Sequence, residues 1–119
     1  MDRNTEIFPE DAIGNTLWQI NQEHGELVLE LECEVEFSVI FTEQEQALKF
    51  GQFLLENGQK ISFSPYQGNE TLPWEITAYP MMLLSYENLV NYQALLMTSS
   101  EGFLGVFDGW YCPSLNVGL

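Results

Sequence analysis

From Leu29 to Phe41 apolar and polar positions alternate. Leu29, Leu31, Cys33, Val35, Phe37, Val39 and Phe41 take the odd positions, and Glu30, Glu32, Glu34 and Glu36 the first even ones. Successive side chains of a strand point to opposite faces, so this period predicts a half-buried strand with one greasy face and one row of carboxylates. Neighbours in such a row lie roughly 6.7 Å apart, and each pair repels by about 0.6 kcal/mol in bulk water. Residues 26–32 read as a lead-in, with the paired part nearer 33–41.

The rest of the chain is punctuated on either side of this strand. Phe8-Pro9-Glu10-Asp11 opens a helix over about 9–23, since proline suits the first helical position and carboxylates suit the first turn. Ile13, Leu17 and Ile20 form its stripe, and Gly25 is a stop. Thr42-Glu43-Gln44-Glu45 has the form of a capping box. Ala47, Phe50, Gly51, Leu54 and Leu55 then give an amphipathic face that ends at Asn57-Gly58. Gly51 leaves room there for close approach to a sheet.

Lys60 to Tyr66 alternates as a second strand and Pro73 to Tyr79 as a third, joined as a hairpin across a turn-like loop at 67–71. Ser85 is an N-cap candidate for a helix reaching about residue 99. Phe103 to Phe107 is a short fourth strand, and Asp108 to Pro113 a turn that carries Trp110. Residues 1–7 read as a polar arm, 8–112 as a single α+β domain and 113–119 as a short tail.

After the first helix the order is strand, helix, strand, strand, helix, strand. That β-α-β-β-α-β series predicts a ferredoxin-like two-layer sandwich: a four-stranded antiparallel sheet with both crossover helices on one face, plus an extra N-terminal helix. The first and third strands lie in the middle, so the glutamate row is expected at the centre of the open face. The pattern does not place the extra helix.

Composition narrows the function. In 119 residues, eighteen acidic side chains face three basic ones, Arg3, Lys49 and Lys60, for a net charge of -15. Eight Phe, five Tyr and three Trp argue for a folded chain despite that charge. Nucleic-acid binding draws on Lys and Arg to displace counterions from phosphates, so direct contact with nucleic acid is not expected, nor is contact with an anionic membrane. The charge suits a basic partner.

No apolar run approaches the ~20 residues of a membrane span, and residues 1–6 have no signal-peptide pattern. Cys33 and Cys112 have no metal spacing. Cys33 reads as a small buried hydrophobe; a disulfide with Cys112 is the alternative, and two lone cysteines suit a reducing cytoplasm better. His24 is the single histidine, and the chain lacks the positioned cations or Cys/His pairs of an enzyme, so no catalysis, cofactor or metal is expected.

Several stretches together resemble the family of regulators of ribonuclease E activity, type B (RraB). They are Phe8-Pro9-Glu10-Asp11-Ala12-Ile13-Gly14-Asn15-Thr16-Leu17, Val35-Glu36-Phe37-Ser38-Val39-Ile40-Phe41, Leu72-Pro73-Trp74-Glu75-Ile76-Thr77 and Phe107-Asp108-Gly109-Trp110. Their order and spacing carry the likeness across residues 8–112. Tyr111 departs from it, because a small residue often follows the Asp-Gly-Trp. The resemblance implies a ferredoxin-like α+β fold, a bacterial cytoplasmic location, no catalysis, and binding to ribonuclease E or its scaffold region.

Two readings of the glutamates follow. They are the solvated face of a one-sided sheet, or a surface for a basic protein segment made by Glu30, Glu32, Glu34 and Glu36 with Glu75. Asp108, Gly109 and Trp110, the family motif, read as a turn with a core-filling indole or as a binding anchor. A self-associating structural domain with no ribonuclease partner is the alternative function, and the oligomeric state is open.

Overall fold

The computed structural model describes residues 3–25, 30, 32–65 and 72–119. The chain runs α1 (Ala12–His24), β1 (Glu32–Glu34), β2 (Glu36–Phe41), α2 (Gln44–Glu56), β3 (Ile61–Pro65), β4 (Trp74–Ala78), β5 (Met81–Leu83), α3 (Tyr86–Ser100), β6 (Val106–Cys112) and β7 (Val117–Gly118). A 3₁₀ turn, Glu101–Phe103, joins α3 to β6. The fold is α+β with antiparallel sheets. The main sheet has five strands in the order β3-β4-β2-β6-β7, rather than the four expected, and β1 and β5 form a separate two-stranded ladder.

The expected long strand is divided. Val35 lies between β1 and β2, and its amide donates to the Pro80 carbonyl at 3.0 Å. β1 pairs with β5, Cys33 opposite Met82, whereas β2 pairs with β4 and β6. The glutamates therefore do not form one row on one sheet. Leu29, Leu31, Tyr66 and the loop at 67–71 fall outside the described residues.

β2 is the central strand. Phe37, Val39 and Phe41 are buried on its inner face, opposite Ala78, Ile76 and Trp74 of β4. The two phenylalanine rings reach the helices α3 and α2. Phe37 lies 4.7 Å from Tyr92 of α3, and Phe41 lies 5.6 Å from Phe50 of α2, between ring centroids. A Cβ at Gly51 would stand 3.1 Å from the Ile76 Cδ1, so the glycine lets α2 lie close over the sheet, as its sequence position suggested. Helix α1 packs on α3, which places the N-terminal helix.

Capping follows the sequence in part. Asp11 caps α1 by accepting from the Gly14 amide at 2.7 Å and also accepts from the Tyr86 hydroxyl. Those bonds hold its carboxyl below the ordinary range, the Tyr86 bond most of all. Ser85 caps α3 through the Asn88 amide. At α2 the N-cap is Glu43, with no side-chain cap bond, so Thr42 forms no capping box.

The expected turn at 108–113 is instead part of β6. Its pairing with β2 shifts register: Ser38 faces Gly109 and Val39 faces Phe107, so Asp108 is the extra residue of a β-bulge. The bulge lets Phe107 and Trp110, three positions apart, share the core side. Trp110 is 3% exposed and belongs to the hydrophobic core. The stretch read as a tail turns back to form β7, and Trp110 and Leu119 exchange backbone bonds at 2.9 and 2.8 Å.

Gly109 is the pivot of this arrangement. It has φ +135°, and a Cβ there would meet the Leu119 carbonyl oxygen at 2.0 Å. Gly109→Ala is expected to cost about 2 kcal/mol or more through strain and lost pairing. Chemical denaturation measures it, and a loss within about 0.5 kcal/mol contradicts the bulge as the fixed point of β6.

Candidate functional site

The face of the main sheet away from the helices carries Glu36 and Ser38 from β2, Ser62 and Ser64 from β3, and Glu75 and Thr77 from β4. Register makes this a patch. Ser38 pairs with Thr77, Ser62 with Thr77, Ser64 with Glu75, and Glu36 with Tyr111. Together with Tyr79, Asp108 and Tyr111 they line a hollow of about 340 Å³. Its lining is mostly carboxylates and hydroxyls, with Gly109, Trp110 and Leu119 beside them, and none of its side chains is cationic.

Hydroxyls bind one another across the strands. The Ser62 and Tyr79 oxygens lie 2.7 Å apart, and those of Ser38 and Thr77 lie 3.4 Å apart. Burial pushes the Glu75 carboxyl above the ordinary glutamate range, and the nearby Asp108 charge pushes the same way. Hydrogen bonds from Thr77, Ser38 and Ser64 hold it partly down. Asp108 reaches this face because the β6 bulge turns it there. Among the described residues no group of three or more His, Cys, Asp or Glu side chains could hold a metal ion, so these carboxylates share a face without converging on a point.

The glutamates singled out in the sequence divide between two places. Glu36 and Glu75 come together in the hollow on the sheet. Glu32 and Glu34 belong to β1 and line a second hollow with Cys33, Met81, Pro113, Ser114 and Leu115. Glu30 and Glu32 are exposed. Glu34 pairs with Lys60, Nζ to Oε2 at 3.0 Å, an exposed ion pair worth about 0–1 kcal/mol. The same ammonium lies 5.3 Å from the centroid of the Tyr79 ring, at the border of the sheet hollow.

Trp110 is a core residue, so the indole is no exposed anchor, and among the described residues its Nε1 is buried without a partner. Among the described residues no helix is long and apolar enough to cross a membrane. The hydroxyl ring of Ser38, Ser62, Ser64, Thr77, Tyr79 and Tyr111 escaped the sequence reading. Its signal was present in the polar positions that alternate with Ile61, Phe63, Ile76 and Ala78.

The raised Glu75 carboxyl has a signed consequence. A carboxyl whose folded pKa lies above its unfolded value contributes stability fully present below the unfolded pKa. That contribution is lost as pH rises through the folded pKa. Ionised Glu75 thus opposes folding at neutral pH. Glu75→Gln is expected to raise the melting temperature at pH 7 by about 1–3 °C, a gain of a few tenths of a kcal/mol. The gain should shrink at an acid pH, where the carboxyl of the parent is protonated as well. Thermal unfolding at both pH values tests this, and a parent that is the more stable at pH 7 refutes it.

Comparison with known proteins adds the family. A family model described as regulator of ribonuclease activity B matches residues 10–112. No curated protein and no solved structure gives a match. The matched span runs from the start of α1 through the bulged strand β6, and so includes both strands that carry Glu36 and Glu75. The chain belongs to the RraB family of regulators of ribonuclease activity.

Proposed function

We propose that this protein is a non-catalytic regulator that acts on RNA degradation in the bacterial cytoplasm by protein–protein contact. Its partner is a basic segment of ribonuclease E or of the scaffold region of that enzyme. The segment docks on the open face of the main sheet, with its cations against Glu36, Glu75 and Asp108. Glu30, Glu32 and Glu34 extend the same negative field beyond the sheet.

The observation that carries this reading is the unneutralised hollow. Three carboxylates stand among hydroxyls with no cation in the lining, and Glu75 is already disfavoured as an anion by burial and by Asp108. A guanidinium placed there relieves that repulsion and finds hydroxyl and carboxylate acceptors around it. An RNA-binding sheet presents aromatics and cations on this face, so a carboxylate face suits the arginine-rich segment that would otherwise hold RNA. The strand order β3-β4-β2-β6 is also that of a ferredoxin-like sheet, with β7 added at the β6 edge. We read the fold in that way.

A second reading is self-association. Met81 and Leu83 of β5 and Leu95 of α3 are exposed apolar side chains that line one shallow groove. A pair of such grooves could join two copies without using the acidic face.

Calorimetric titration with the basic scaffold segment of ribonuclease E separates the two. Binding should weaken steeply between low and high salt. The paired change Glu36→Gln and Glu75→Gln should cut affinity about tenfold or more, some 1.4 kcal/mol. Absence of binding at low salt removes this partner, and a dimer seen by light scattering with no binding favours the second reading.

A further inference from the structure

Cys33 and Cys112 are the two cysteines of the chain. Cys33 is in β1 of the small ladder, and Cys112 ends the part of β6 that pairs with β7. They are 79 residues apart in sequence, yet their sulfurs lie 3.6 Å apart as free thiols. A disulfide needs that separation to shorten to about 2.05 Å. The sulfurs face each other across the junction of the two sheets. Among the described residues that junction otherwise includes one backbone bond, from Val35 to Pro80.

Access differs between the two. Cys112 is fully buried, beside the Ser114 hydroxyl at 3.4 Å. Cys33 is half-buried and opens onto a hollow of about 540 Å³ lined by Glu32, Glu34, Met81, Ser114 and Leu115. We propose that Cys33 and Cys112 form a latent disulfide site, closed by exchange with a low-molecular-weight disulfide, that staples the β1–β5 ladder to the end of β6.

The exchange balances in two steps. The Cys33 thiolate, its proton released to solvent, attacks one sulfur of the small disulfide. A mixed disulfide forms and one small thiolate leaves. The Cys112 thiol then gives up its proton and attacks the Cys33 sulfur, expelling the second small thiolate. Both protons end on the two small thiols. The protein pair is oxidised by two electrons, and the small disulfide is reduced by two.

Burial and the neighbouring thiol push Cys33 up to about 12, so thiolate is scarce at neutral pH and closure is slow. Glu32 and Glu34 on the rim repel anionic oxidants, which makes an uncharged reagent the suitable probe.

The test uses the full chain, incubated with excess hydroxyethyl disulfide, then unfolded in acid, alkylated and weighed. The expected product is a monomer lighter by two hydrogens, with no alkylated thiol and one peptide pair joining Cys33 to Cys112. Its melting temperature should rise by roughly 5–15 °C, because the bond closes a long loop, and a reductant should reverse the rise. In Cys112→Ser the mixed disulfide should instead remain on Cys33. Two alkylated thiols in the folded chain, under conditions where the unfolded chain is oxidised, overturn the proposal. So do cross-linked dimers, or a mixed disulfide that persists in the parent protein.

Discussion

The burial of Phe37, Val39 and Phe41 on one side of β2 is the constraint on which the other features depend. Each of these residues is essentially inaccessible to solvent, and the rings of Phe37 and Phe41 touch α3 and α2 respectively. The period of a strand then fixes the side of the residues that alternate with them: Ile40, itself buried, and the two polar ones. Glu36 and Ser38 must face away from the helices. A slip by one residue would bury a carboxylate and expose two phenylalanines. The acidic face is thus tied to the core, and a core that folds correctly presents it.

The second device is the bulge in β6. A regular strand would set Phe107 and Trp110 on opposite faces. The extra residue, Asp108, puts both into the core beside Phe37 and adds a third carboxylate to the open face. Gly109 accepts the unusual backbone angle that this needs, and the last residues of the chain close over it as β7. One insertion therefore serves packing and electrostatics together. It gives Asp108-Gly109-Trp110 a structural reason within the region matched by the family.

Much of this was legible in the sequence, and the failures have physical causes. The stripe of α1, the α2 face apart from the exposed Leu55, and the Ser85 cap are local signals, and the structure contains them. Within the described residues the alternation holds from Cys33 to Val39, but it runs through Val35 without a mark, because the buried side stays buried while the pairing partner changes from β5 to β4 and β6. Met81-Met82-Leu83 has no alternation at all, so β5 had no pattern to find. Asp108-Gly109 has the composition of a turn, and only the β2 partner shows that it is a bulge. The carboxylates Glu36 and Glu75 were identifiable one by one. Their shared hollow, and the addition of Asp108 to it, depend on register between strands distant in sequence.

The outcome is an acidic sheet face backed by an aromatic core in a member of a ribonuclease-regulator family, with few internal cations to neutralise it. The most direct test is a nuclear magnetic resonance titration of the isotope-labelled protein with an arginine-rich peptide. The account predicts shifts concentrated at Ser38, Ser62, Thr77 and Gly109, fading as salt is added. Shifts confined to the exposed surfaces of α2 and α3, with the sheet face unmoved, would contradict it.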